Sequence, residues 1–122
     1  MNRNVEIKET ALGKIKIYLT AREKIKTDSI LGKIRGRQTY REILQKAKDQ
    51  NLMSASVYHT HGGFSINQEV SFSNSETDSS KSIICVELID KKEKLENFCI
   101  QNQHLLKDKV IIFKAVEFWS VV

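Results

Sequence analysis

The 122-residue chain has no proline, only five glycines, two cysteines and one tryptophan. Without proline there is no stiff proline-rich linker. Two cysteines are too few for a disulfide framework. Cys85 and Cys99 both fall in apolar-periodic segments, where buried thiols of a reducing compartment are found. No apolar run approaches the roughly 18–20 residues of a membrane-spanning helix. The opening MNRNVEIKET has no apolar stretch of the secretory kind, so a cytoplasmic protein is expected. The length suits one domain, 1–122, and excludes a TIM barrel or a two-half dinucleotide fold. No G-K-[ST] follows a glycine loop, and G-x-G-x-x-G is absent. Spacing nominates no Ser-His-Asp set, no Cys-His pair and no cleft pair of carboxylates, which argues against an enzyme.

Positive charge is in excess and unevenly placed. Lys plus Arg is 20 against 15 Asp plus Glu. Residues 1–50 carry thirteen of the cations and six of the anions, densest over Arg22–Lys48, whereas 51–122 carry seven and nine. A basic face suits nucleic acid, an anionic membrane surface or a phosphate-bearing small molecule. Since no aromatic-rich RNA-binding strand accompanies it, nucleic acid is not the expected partner. A basic RNA-binding module stays as an alternative.

Periodicity outlines the fold. Ile15, Ile17 and Leu19 alternate with Lys14, Lys16 and Tyr18 as a strand does, and Val5–Lys8 extends or flanks it. Thr39 and Glu42 have the spacing of a capping box. Behind them Tyr40, Ile43, Leu44 and Ala47 form one apolar helix stripe, and Asn51 stands where a left-handed C′ residue belongs. A short strand at Ala55–Tyr58 leads to Gly62-Gly63 and a polar stretch, Ser65 to Ser82, too poor in apolar mass to fold alone. Next come a strand at Ile83–Ile89, a second D-x-x-E pattern at Asp90 and Glu93, and a helix stripe of Leu95, Phe98, Cys99, Asn102 and Leu105 or Leu106. The last strand runs from Val110 to about Trp119. This order predicts an α+β, ferredoxin-like βαββαβ sandwich with a long loop between strands two and three.

Two helices cover one face of such a sheet, and the other should be polar at alternate positions. The last two strands disobey. Ile84, Val86 and Leu88 oppose Ile83, Cys85 and Ile89; Val110, Ile112, Val116 and Phe118 oppose Ile111, Phe113, Ala115 and Trp119. Both faces demand cover, and a second subunit is the expected source. The in-chain alternative is that the N-terminal segment or part of 20–37 folds over the open face.

Three clusters are candidate sites. His59 and His61, two apart, share a face on a strand and suit a metal, although the remaining histidine is the distant His104. Gly62-Gly63-Phe64 lets backbone N–H groups approach an anion, or simply makes a turn. Arg35, Gly36 and Arg37, with Lys33, lie before a helix N-terminus and suit a phosphate, or form a solvated basic loop.

In order and spacing these pieces resemble the PII-like family called domain of unknown function 190. Gly36-Arg37-x-x-Tyr40-x-x-Ile43 resembles its "G-[RK]-P-L-Y-E" helix start. Residues 54–65 resemble its "G-A-T-V-x-R-G-x-x-G-F-G" stretch, matching at Ala55, Val57, Gly63 and Phe64. Glu93-Lys94-Leu95 sits in its "D-x-x-E-K-[IL]" pattern. The similarity spans about 14–119. The chain departs from the family at His59-Thr60 for Arg-Gly, at Ser65 for the last glycine, at Gln38-Thr39 for Pro-Leu, and in a longer loop before the first helix.

The resemblance implies a homotrimer whose open sheet faces meet on a threefold axis, with segment 65–82 as a mobile T-loop. It also implies a small effector between subunits, with an adenine nucleotide (ATP, ADP or AMP) as the best candidate and no certain cofactor. Gly62, Gly63 and Phe64 would cradle it, with His59 beside them. Arg35, Gly36, Arg37 and Lys81 would meet the phosphates. A regulatory role toward a membrane transport protein, such as an ion channel, is implied as well. Segment 65–82 has no tyrosine, so tyrosine nucleotidylylation is not available to it. A CutA-like metal-binding trimer using His59 and His61 is the alternative within the same architecture.

Overall fold

The computed structural model describes residues 5–25, 36–66, 69–72 and 82–122. Strand β1 (Ile7–Thr20) is followed by helix α1 (Thr39–Asp49), strand β2 (Ser54–His59) and two short strands, β3 (Gly62–Gly63) and β4 (Ser71–Phe72). Then come β5 (Ile83–Asp90), α2 (Lys92–Gln101), the single turn α3 (Gln103–Leu106) and β6 (Val110–Val121). The main sheet has the order β2-β5-β1-β6, antiparallel throughout. That is the ferredoxin-like arrangement the alternating pattern predicts. No helix among the described residues is long and apolar enough to cross a membrane.

Alternation decides what is buried. Ile15, Ile17 and Leu19 of β1 face the helices together with Ile84, Val86 and Leu88 of β5. They pack with Ile43 and Ala47 of α1, Leu95 and Phe98 of α2, and Leu105 and Leu106. Asn102 closes α2 by donating its Nδ2 to the Phe98 carbonyl at 2.9 Å, which satisfies a buried amide. Asn51 adopts φ 59°, as its position predicts, and the amides of Asn51 and Leu52 bond the carbonyls of Lys48 and Ala47. That pair of bonds is the Schellman end of α1.

Both predicted capping boxes are displaced. Gln38, not Thr39, is the N-cap of α1, and no side chain caps it. Thr39 is buried as the first helical residue, and Glu42 pairs with Arg37 instead of reaching back. Lys91, not Asp90, is the N-cap of α2. The Asp90 carboxylate accepts from the amides of Lys91 (2.6 Å) and Met53 (2.9 Å) and lies 3.4 Å from Lys94 Nζ, which ties the ends of β5, β2 and α2 together. Burial by itself would raise its pKa. The two N–H donors and the Lys94 ammonium outweigh that and hold it below the ordinary value.

The open face is uneven. Register places Tyr18, Lys16 and Lys14 there beside Cys85, Glu87 and Ile89, with Lys14 and Glu87 paired at 3.4 Å. Burial raises the Cys85 thiol and the Tyr18 hydroxyl above their usual pKa values. Toward the edge, β6 adds Ile112, Val116 and Phe118. Ile83 and Cys85 are buried within the chain, but Ile112, Phe118 and, on the other face, Ile111, Phe113 and Trp119 are exposed. The described N-terminal residues do not fold over this face. Ile7–Leu12 prolong β1 and pair with Val116–Val121, while Glu23 and Ile25 bond to Thr39 and Arg37 beside α1.

Candidate functional site

A βαβ crossover returns the chain to the end of the sheet it left, so α1 must begin where β2 ends. That end collects the β1–α1 connection, the exit of β2, the entry of β5 and the turn before β6. Thr60 pins the exit: its amide and its Oγ1 both donate to the Ile83 carbonyl, at 3.1 and 2.6 Å. His59, opposite Ile84, is exposed at the strand end. The chain then turns away as a small ribbon in which Gly62 faces Phe72 and Gly63 faces Ser71. Gly63 has φ +149° and open space around a would-be Cβ, so backbone conformation, not crowding, requires glycine. Phe64, Ile66 and Val70 project from the ribbon into solvent.

The start of α1 is stitched to the end of β1. The Thr39 amide donates to the Glu23 carbonyl (2.8 Å), the Ile25 amide to the Arg37 carbonyl (3.1 Å), and Gln38 Nε2 to the Ala21 carbonyl (2.9 Å). Arg37 Nη1 lies 3.1 Å from Glu42 Oε2, an ion pair that orients this guanidinium at the start of α1. Gly36 and Arg37 therefore share the sheet end with His59, Gly62, Gly63 and Phe64. Arg35 and Lys81 lie outside the described residues, as does most of segment 65–82. Within that segment the described Ser71–Phe72 form β4, a strand with no periodic signal in the sequence. Among the described residues no group of three His, Cys, Asp or Glu gathers around a metal position, so His59 and His61 find no third ligand there.

The same end holds residues that pattern reading did not single out. A cleft of about 250 Å³ is lined by Glu23, Lys24, Thr39, His104, Lys107 and Lys109, among others. Lys109 Nζ meets Glu23 Oε1 at 2.8 Å, while Glu23 Oε2 is buried with no partner among the described residues. Asp108, at φ 64°, makes the tight turn that brings Lys107 and Lys109 there. The signal was available: the polar triplet 107–109 interrupts two apolar-periodic segments, and the topology sends that turn to this end. Ser82 is fully buried; its carbonyl accepts from the Ala21 amide, and its hydroxyl has no partner among the described residues. The arrangement offers cations, backbone N–H groups and a glycine ribbon around one sheet end. Such a set suits an anionic ligand, and among the described residues it includes no nucleophile paired with a base.

Similarity to known proteins agrees with the fold. The family DUF190, described as "Uncharacterized ACR, COG1993", matches residues 13–118. No curated protein matches the chain. Among solved structures, the apo form of CPII from Thiomonas intermedia K12, a nitrogen regulatory PII-like protein, superposes with a TM-score of 0.57 at 11% identity, covering 94% of this chain and 99% of that one. The same protein bound to ADP, AMP and bicarbonate gives 0.58 at 9% identity, covering 93% and 91%. A protein of Thermus thermophilus described as PII-like and signalling gives 0.52 at 13% identity, covering 92% and 91%. With the ferredoxin-like sheet, the ribbon after β2 and a family match over most of its length, the chain belongs to the DUF190 family and has the PII-like fold.

Proposed function

We propose that this protein is a PII-like regulator, a binding protein rather than an enzyme, that acts in the cytoplasm as a homotrimer. The open sheet faces meet on the threefold axis and cover the exposed apolar side chains of β6. An adenine nucleotide sits between subunits at the sheet end described above. Gly62, Gly63 and Phe64 turn backbone N–H groups toward it, His59 stands beside it, and Arg35, Gly36, Arg37 and Lys81 meet its phosphates. Occupancy orders the T-loop-like segment 65–82 and changes the surface offered to a partner, which we take to be a membrane transport protein.

The observation that carries this reading is the meeting of the Gly62-Gly63 ribbon and the Gly36-Arg37 start of α1 at one sheet end. The PII-like CPII, of the same fold, is known bound to ADP and AMP, which supports the choice of ligand. Titration calorimetry with ATP, ADP, AMP and cyclic dinucleotides tests it. Saturable binding of an adenine nucleotide is expected, weakened roughly tenfold or more in Arg37→Ala by loss of a charge-assisted contact. No heat with any of these ligands overturns the nucleotide assignment.

A further inference from the structure

The outward side of α1 carries positive charge that the fold leaves uncompensated. Its two acids are already engaged. Glu42 pairs with Arg37 and with Lys46, and Asp49 accepts from Gln45 Nε2 at 2.9 Å. Arg41 and Lys48 are exposed and meet no carboxylate among the described residues. Arg41 also stands in the first turn, just after the N-cap Gln38, where the helix dipole disfavours a cation. Tyr40 holds it there in one pose. Arg41 Nε donates to Tyr40 Oη at 3.2 Å, and the guanidinium carbon lies 5.7 Å from the ring centre. With Nε taken, both Nη groups of Arg41 are left to grip a planar anion side by side.

These side chains frame a shallow recess of about 410 Å³, lined by Arg37, Arg41, Leu44, Gln45 and Lys48. Arg41 and Lys48 stand two turns apart on one flank, about 10 Å along the helix, with Leu44 between them. Leu44 is half-buried against the core, so its outer side is a fixed apolar floor. Leu44 and Lys48 also border an adjoining recess with Leu52 and Met53, the last 51% exposed. Along this surface cationic and apolar side chains therefore alternate. An extended chain advances about 3.3 Å per residue, so acids about three residues apart with an apolar residue between them match it. An anionic lipid surface does not. Two unpaired cations at about 1 kcal/mol each hold a bilayer weakly, and a flat bilayer leaves the recess and Leu44 uncovered.

We infer that the recess on α1 docks an acidic, partly apolar segment of a protein partner. The Nη groups of Arg41 take one carboxylate, Lys48 Nζ takes a second, and an apolar side chain between them rests on Leu44. Arg37 borders the recess but is already paired with Glu42, and the contact does not require it. This surface is separate from the glycine ribbon and stands apart from the nucleotide proposed above.

Fluorescence anisotropy on the full-length protein tests it. The probe is a dye-labelled peptide of repeated Glu-Leu-Glu units, and its Lys-Leu-Lys counterpart is the control. Saturable binding of the acidic peptide is expected, and none of the basic one. Arg41→Gln and Lys48→Gln, both at exposed positions, should each weaken binding about fivefold or more, and Arg41→Glu combined with Lys48→Glu should abolish it. Nucleotide affinity in the same variants should equal that of the parent. An acidic peptide that does not bind, or that binds parent and variants alike, overturns the inference and leaves the nucleotide titration to decide its own case. Loss of nucleotide and peptide binding together in Arg41→Gln would mean one site rather than two, and would overturn it as well. Parent protein that sediments with phosphatidylglycerol vesicles while ignoring the peptide would overturn it in favour of a lipid surface.

Discussion

In β5, Ile83 and Cys85 turn away from the helices and are still only 5% and 7% exposed; in β6, Ile112 and Phe118, on the same open face, are 44% and 43% exposed. The two strands are written in the same idiom, with apolar residues at consecutive positions. Their difference comes from sheet order. β5 lies between β2 and β1, so Tyr18 and Tyr58 flank Cys85 in register and shield it from the side. β6 lies at the edge, with β1 on one side only. Two-sided apolarity in an interior strand is satisfied within one chain, whereas in an edge strand it is left over. It is therefore β6, and not β5, whose apolar side chains call for a partner.

The largest expected effect lies in β5. Leu88 is fully buried between the helices and β1, and Leu88→Ala should cost about 2–5 kcal/mol in urea unfolding. Ile112→Glu, in β6, should leave the fold intact but make the unfolding midpoint insensitive to protein concentration, because it removes the association that couples to stability. A loss as large as that of Leu88→Ala, at every concentration, would erase the distinction between the two strands.

Asp90, where β5 ends, comes next. Asp90→Ala strands the amides of Met53 and Lys91 and should cost about 1–3 kcal/mol. Because the folded-state pKa of Asp90 is depressed, its contribution is complete above the unfolded value of about 3.9 and is lost as pH falls through the lower, folded value. Acid titrations of stability should show this step in the parent and a flatter acid limb in Asp90→Ala. The smallest effect belongs to Ser82→Ala. Removal of a buried hydroxyl with no partner among the described residues should change stability by less than about 0.5 kcal/mol, or raise it. A clear loss would mean that the hydroxyl is bonded in the assembled protein.

Much of this molecule was legible from periodicity. β1, the stripe of α1, the left-handed Asn51, the stripe through Leu95, Phe98 and Asn102, and the strands β5 and β6 stand where their patterns put them. The two capping boxes did not, because tertiary partners outbid local ones. Asp90 spends its carboxylate on Met53, 37 positions away in sequence, and the Thr39 amide is taken by Glu23. The β3–β4 ribbon was illegible because two residues a side carry no period, and only the glycine pair marked the place. At the candidate site, residue type and spacing nominate Gly36, Arg37, His59 and the glycines, and the fold brings them to one sheet end. Glu23, Lys107 and Lys109 carry no such pattern in the sequence, since only the crossover topology brings them to the same end.

Sedimentation velocity of the untagged chain at micromolar concentration addresses the unpartnered β6 edge most directly. A species of three times the 14.0 kDa chain mass, reduced to single chains by Ile112→Glu, is the predicted result. A stable, folded single chain that persists at high micromolar concentration would contradict it.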